Sequence, residues 1–483
     1  MSVERSFDII IKGGSIIDGT GSPRVQADVG IVGDRIAAIG TLSNESAGSI
    51  IDASNKIVSP GFIDVHTHDD RILLAKPSMD MKVSQGVTSV VVGNCGISLA
   101  PLVADNPPPP LDLIAEPGAC RFKTFDDFLN AFDMAPAAVN AAFLVGHSTL
   151  RVGTMDSLDR VASATETKKM RSLLEEGMSS GAIGFSTGLF YKPASMAPTE
   201  EVIEIASALT NFGGRYVTHM RDEGDRVIHS LEETFQIGRE SKSPVIISHH
   251  KVHGKHNFGR SKETLACIDK HLAGHHHGIA FDVYPYMASS TVLKEDSIKV
   301  AERVLITWSK AKPELAGREL SDIAVELNCD IYKAANLLQP AGAIYFAMSE
   351  EDVQRILSHS HAMIGSDGLP HDEHPHPRLW GTFPRVLGHY CRDLKLFSLE
   401  EAIRRMTGYS AETFGLKDRG KIAPNYFADI TIFDEKTILD AAKFECPKKP
   451  ATGIELVLVN GRSVWKNGTI SGNRPGRALR HGG

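Results

Sequence analysis

Hydrophobic and polar positions change rhythm twice along the 483 residues. Between 7 and 59, short apolar runs are broken by turn residues: Phe7 to Ile11 before Gly13-Gly14, then Ser15 to Asp18, Ala27 to Ile31 and Arg35 to Ile39, with Gly33-Asp34 as a hairpin turn. This pattern predicts a small β module. From 57 to about 410, apolar runs alternate with helical segments such as Thr167 to Met178, Glu200 to Asn211 and Leu231 to Ser241. Eight runs read as strands: 57–65, 88–92, 141–145, 182–185, 215–218, 245–248, 279–283 and 362–364. Eight such units predict an α/β fold, a (β/α)8 TIM-like barrel. The gap before strand eight is long, and structureless loops of that size are rare, so about 287–350 is expected to be a helical insertion. After 415 the strand pattern returns in Ala428 to Phe433, Ile454 to Val459 and Ser463 to Lys466, punctuated by Asn460-Gly461 and Asn467-Gly468. The expected layout is therefore 1–60 as the first part of a β-sandwich, 61–414 as the barrel with its insertion, and 415–483 as the second part of the sandwich.

Composition narrows the class without changing the picture. An apolar share of 42% suffices for a large core. The formal charge of −7 argues against a nucleic-acid-binding surface, and Arg474, Arg477 and Arg480 read as a solvated tail. The polar, acidic N-terminus (Met1 to Asp8) does not resemble a secretory leader, and no apolar run of about 18 residues predicts a membrane span. Six cysteines without a Cys-x-x-Cys pair do not suggest a disulfide framework, so a reducing cytoplasm is expected. Pro107 to Pro110 read as a stiff surface loop.

In such a barrel, chemistry gathers at the carboxyl ends of the strands. Strand one runs into His66-Thr67-His68, and residues two apart on a strand share a face, so two imidazoles can converge on one metal ion. Strand two ends in Gly93-Asn94-Cys95-Gly96, strand five in His219, strand six in His249-His250-Lys251, strand seven in Tyr284 and strand eight in Ser366-Asp367-Gly368. Cys95 alone reads as a small buried hydrophobe, whereas its glycine turn beside histidines favours a thiolate ligand. Asp367 reads either as a helix cap or as part of a functional loop. Because His249 and His250 alternate, only one of them can face inward, and His249 is taken as that one. His147 reads as a core histidine, and His275-His276-His277 as a polar loop.

His-x-His on strand one, His on strands five and six, and Asp on strand eight resemble the amidohydrolase superfamily. Within it the chain resembles the N-acyl-D-amino-acid deacylases (D-aminoacylases), through Ser59 to Asp64 with His66 to Asp70, Gly93 to Ser98, Gly146 to Arg151, Thr218 to Glu223, Ser248 to Lys251 and Gly365 to Pro370. That resemblance covers essentially the whole chain. It implies one tight Zn2+ held by Cys95, His219 and His249, and a second, weaker position facing His66 and His68 with Asp367 at its edge. Strand four carries no lysine in Ala182 to Gly188, which argues against a dihydropyrimidinase-type cyclic-amide hydrolase. The implied reaction is hydrolysis of a small N-acyl-D-amino acid, with metal-bound hydroxide as nucleophile and Asp367 as general base and then acid.

The implied substrate contacts are Lys251, Tyr284 and Arg378 on the α-carboxylate, and Phe190, Tyr345 and Met348 around the side chain. Lys299 either pairs with an acidic side chain, as in N-acyl-D-glutamate or N-acyl-D-aspartate deacylases, or sits on a solvated helix face. His371 to Pro377 are expected to take part in a lid. A barrel that has lost catalysis and serves as a binding scaffold predicts missing ligands, yet the whole set is present.

Overall fold

The computed structural model describes residues 6–43, 45–114, 117–274 and 278–482. The triple histidine at 275–277 and most of the N-terminal segment lie outside the described residues.

Eight parallel strands form the barrel in chain order: Phe62–Asp64, Val87–Val92, Asn140–Gly146, Gly184–Gly188, Arg215–His219, Val245–Ile247, Ile279–Val283 and Ala362–Ile364. Every strand pairs with its neighbours in parallel register. Closure between strands one and eight is made past the strand ends, by a parallel bridge between Thr67 and Gly368 and by Asp367 N donating to His66 O at 2.8 Å.

Alternation along the strands explains both faces. Ile63, Val65, Val91, Ala142, Leu144, Val217, Ile246 and Met363 meet inside the barrel, where Phe414 and Leu416 seal the bottom. Their neighbours Val90, Val92, Phe143, Val145, Tyr216 and Val245 face the outer helices in the main core. The barrel interior is thus a packed core, and its open end is the mouth.

The expected first strand, 57–65, is two strands. Ile57–Pro60 pairs with Ile430–Phe433, and Phe62–Asp64 begins the barrel. Gly61 divides them, because a Cβ there would stand 2.1 Å from Thr88 Cγ2. The two ends of the chain share one nine-stranded sheet, in which Ser6–Ile16 is parallel to Ser46–Asp52 and antiparallel to Val25–Val32. The basic tail keeps Arg474 and Arg477 exposed, as expected of a solvated segment, but its backbone is docked. Ala141 N donates to Arg477 O, Leu479 N donates to Ala141 O, and Arg477 and Arg480 pair with Asp34 and Asp133.

The insertion is mixed rather than purely helical. Ala288–Val292, Ala341–Phe346 and Arg303–Ser309 make a three-stranded antiparallel sheet, over which helices Leu320–Glu326 and Ile331–Leu338 pack. This sheet leans over the mouth. Among the described residues, no helix is long and apolar enough to cross a membrane.

Candidate metal centre at the barrel mouth

Five strand ends converge on the mouth. Strand one ends at Asp64, so the alternation argument does not itself aim His66 and His68; they lie on the loop beyond it, held by the bridge to strand eight. Three residues of the cluster adopt left-handed backbone: Cys95 (φ 53°), His249 (φ 36°) and Asp367 (φ 49°). Non-glycine residues rarely adopt that conformation, which is retained where the surroundings over-determine it and is enriched at functional sites. At Cys95 the surroundings include Gly96, whose N–H is bonded by Ser186 Oγ at 3.0 Å; the strand that lacks a lysine therefore braces the cysteine turn.

Two donor sets share the cysteine: Cys95, His219 and His249; and His66, His68, Cys95 and Asp367. In each set the candidate ligand atoms lie within 4.8 Å of one another and all the residues are buried. Cys95 Sγ is 3.3 Å from His66 Nε2 and 3.4 Å from His249 Nε2, and His68 Nε2 is 3.2 Å from Asp367 Oδ1.

Electrostatics suits a cation. Burial would raise the Cys95 thiol, but His66 and His249, with hydrogen bonds from His219 and His249, pull it well below its usual value and favour the thiolate. Burial would depress His66 and His68. Asp282 and Cys95 instead drive His66 well up, and Asp367 and Cys95 lift His68 to about 9. Burial would raise Asp367, yet chiefly Arg378, then His249 and His68, hold it well below the carboxylate range. Buried anions here require positive charge, and soft thiolate with imidazole is the donor set of zinc. The residues fit that metal.

Second-layer partners fix the rings. His66 Nδ1 lies 3.2 Å from Asp282 Oδ2, leaving Nε2 toward Cys95. His249 Nδ1 is 3.0 Å from Glu223 Oε1, and Lys251 Nζ donates to both Glu223 oxygens at 2.7 and 2.8 Å. Lys251 Nζ also lies 2.8 Å from His249 Nδ1, so the Glu223–Lys251 pair holds that nitrogen and Nε2 faces the sulfur. On the other side Lys82, fully buried, reaches Asp64 at 2.7 Å, Ser366 Oγ at 3.0 Å and Asp69 at 3.2 Å. Asp64 Oδ1 in turn accepts from Ser366 N at 2.8 Å, tying strand one to the Asp367 turn.

The strand-end reading missed Glu223, Asp282 and Lys82. One of them had a signal, a lone charge inside an apolar run (Asp282 between Phe281 and Val283).

A cavity of about 310 Å³ opens on this cluster, lined by His68, His219, His249, Lys251, Asp367 and Tyr284, and by Phe190, Tyr191, Tyr345, Ser289 and Ser290. Phe190 stacks on His219 with ring centroids 5.4 Å apart. Arg378 is completely buried behind this wall. Its Nη1 is 2.9 Å from Asp367 Oδ2, and its guanidinium carbon is 4.6 Å from the Tyr284 ring centre. Tyr284 Oη, Ser290 Oγ and Arg378 Nε are buried without hydrogen-bond partners.

Met348 does not line the cavity; it packs with Tyr284, Tyr286 and Phe444 behind it. Lys299 points outward, pairs with Glu295 at 2.9 Å and is half exposed. Besides Lys251 and Arg221, which line the cavity, Lys294 lies behind its Phe190 wall, with Nζ 4.0 Å from the ring centre and a pKa that burial lowers. His250 is turned outward to Thr264 at 2.9 Å, and His147 bonds Glu201 at 3.1 Å. The His371 to Pro377 segment is fastened by His374, whose N donates to Thr307 O at 2.9 Å and whose Nε2 meets Phe444 O at 2.6 Å.

Comparison with known families matches the amidohydrolase family over residues 49–293 and 320–465. The chain belongs to the amidohydrolase family. A D-aminoacylase of Alcaligenes xylosoxydans xylosoxydans is 55% identical over 99% of this chain and 98% of its own. An N-acyl-D-aspartate deacylase of the same organism is 48% identical over 98% and 95%. The crystal structure of an N-acyl-D-glutamate deacylase from Bordetella bronchiseptica, with zinc and a phosphonate mimic of the tetrahedral intermediate, superposes with a TM-score of 0.95 at 43% identity, covering 99% of this chain and 100% of that one.

Proposed function

We propose that this amidohydrolase hydrolyses N-acyl-D-amino acids to a carboxylate and a free D-amino acid. The observation that carries the reading is the meeting of Cys95, His219, His249, His66, His68 and Asp367 at the head of one cavity that Tyr284 lines, with the Arg378 guanidinium buried directly behind and paired with Asp367. The D-configuration is taken from the relatives.

Cys95, His219 and His249 would hold the tight zinc, and His66 and His68, with Asp367 at the edge, a weaker position. When bound, zinc supplies Lewis acidity that activates water and polarises the acyl carbonyl. Asp367, held ionised by Arg378 and the histidines, accepts the attacking water's proton. It then delivers that proton to the leaving amine nitrogen. Arg378, Tyr284 and Ser290 have donors to spare for the α-carboxylate, and Lys251 adds charge from the strand-six side. Glu223 keeps Lys251 and the His249 ring in place.

Phe190 and Tyr345 form an apolar wall for the substrate side chain. One observation favours an acidic side chain instead: the half-buried ammonium of Lys294 over Phe190. The six cysteines are all unpaired, which supports a reducing compartment such as the cytoplasm.

The test is amine release by zinc-loaded enzyme from N-acetyl-D-Leu, D-Met, D-Phe, D-Asp and D-Glu and their L-forms, for the wild type, Lys294→Leu and Lys299→Leu. D-forms should be cleaved and L-forms spared. If Lys294 selects an acidic side chain, Lys294→Leu loses D-Asp or D-Glu and Lys299→Leu does not. Failure to cleave any N-acetyl-D-amino acid overturns the reading.

A further inference from the structure

A second cluster of soft and borderline donors lies outside the mouth cavity, on the outer helices. Cys267 and His271 stand four residues apart on helix Ser261–Leu272, so they share one face, and Glu232 projects at them from helix Val227–Glu240. The candidate ligand atoms of the three lie within 4.8 Å of one another. His271 Nε2 is 3.0 Å from Glu232 Oε2, and Cys267 Sγ is 3.7 Å from Glu232 Oε1.

Both of those spacings lie within a few tenths of an ångström of the edges of a zinc tetrahedron. Zinc bonds of about 2.0 Å to nitrogen and oxygen and about 2.3 Å to sulfur, at tetrahedral angles, give N···O near about 3.3 Å and S···O near about 3.5 Å. The His271 ring is already fixed, stacked on Phe235 with centroids 4.3 Å apart. Glu232 is half exposed, so water can fill the fourth position.

We propose that Glu232, Cys267 and His271 form a second metal site, independent of the barrel mouth, that takes a borderline or soft divalent cation such as zinc or cadmium and not magnesium or calcium. With no cation the Cys267 thiol donates to Glu232 Oε1 and His271 meets the same carboxylate, so all three donors already face one point. Binding displaces to solvent the thiol proton and any proton carried by the ligating ring nitrogen, so that a thiolate and a neutral imidazole enter the site. The resulting centre carries the cation's two charges against one thiolate and one carboxylate. It is therefore neutral, which suits a site half covered by two helices.

The test uses the full chain already holding its tight zinc. Equilibrium dialysis at rising free zinc is run on the wild type and on Cys267→Ser/His271→Ala, with Glu232→Gln as a milder variant. The wild type should bind one zinc equivalent more than the double variant at the same free zinc. Glu232→Gln should need at least about 10-fold more zinc to fill that equivalent. Zinc, but not magnesium, should slow iodoacetamide labelling of Cys267 at least about 10-fold in the wild type, and His271→Ala should lose this protection. Turnover should be the same in all variants when only the tight site is filled, because these residues lie outside the mouth. Equal zinc stoichiometry in wild type and double variant, or labelling of Cys267 indifferent to zinc, leaves only the ion pair and overturns the proposal.

Discussion

The two sides of the mouth are built differently. On the side of strands two, five and six, three donors come from three strands, two of them on left-handed turns, and a single carboxylate, Glu223, orients one ring. On the side of strands one and eight, His66, His68 and Asp367 sit beyond the strand ends, and a buried ionic cluster of Lys82, Asp64 and Asp69 staples the seam. The first side turns two of its three donors on left-handed backbone and steadies them with the Glu223–Lys251 pair; the second has one left-handed turn, at Asp367, and a fully buried lysine held between two aspartates. That division suits a tight structural hold on a metal on one side and a proton carrier on the other.

Breaking the first side should cost most. Cys95→Ala removes the sulfur common to both donor sets and should bring zinc content and turnover to background; full activity with a full zinc complement would end the cysteine's role. Asp367→Asn should keep the tight zinc while turnover falls by about 10²–10⁴-fold, the usual weight of a general acid–base group, and near-wild-type turnover would remove it. Lys82→Met leaves Asp64 and Asp69 buried without their cation, and should destabilise the fold by about 3–5 kcal/mol in denaturant melts, with zinc still bound by the other side. A loss of the tight zinc at temperatures where the variant is folded would mean that the two sides are not independent. Glu223→Gln should weaken zinc about 10–100-fold with turnover at saturating zinc much less affected; unchanged zinc affinity would show that the His249 ring needs no such partner.

A cluster outside the mouth calibrates the comparison. Burial would raise the Glu201 carboxyl, but His147 and Arg151 outweigh it and hold it at about 2, below its usual 4.5. A carboxyl held down adds stability that is present above its unfolded value and is lost as pH falls through the folded one. Glu201→Gln should therefore flatten the acid limb of the stability profile between about pH 4.5 and 2 without moving zinc content. A profile of unchanged shape would contradict that ion cluster.

Much of this was legible in residues alone. The barrel strands reveal themselves because each is an apolar run too short for a helix, and ligands at their carboxyl ends follow from the fold. The split at Gly61 was marked by Pro60-Gly61, a turn signal that the surrounding apolar residues mask; the close approach to Thr88 shows why glycine stands there. The three-stranded sheet in the insertion was hidden because its strands pair across 30 or more intervening residues. Ser289 and Ser290 came to the mouth the same way, by a long-range pairing with Tyr345 and Ile344. Met348 illustrates the limit of resemblance: it occupies a plausible position in the sequence and turns away behind Tyr284. Glu223 lay inside a recognisable motif, but its work, bridging Lys251 to His249, depends on two strands meeting.

The claim on which the rest depends is that one sulfur and imidazole nitrogens from separate strands share a metal. X-ray absorption at the zinc edge, on Cys267→Ser protein holding one zinc per chain, tests it most directly. The account predicts one sulfur neighbour at about 2.3 Å with nitrogen and oxygen neighbours at about 2.0–2.1 Å, and loss of the sulfur signal in Cys95→Ala. A shell of nitrogen and oxygen alone in the Cys267→Ser protein would contradict it.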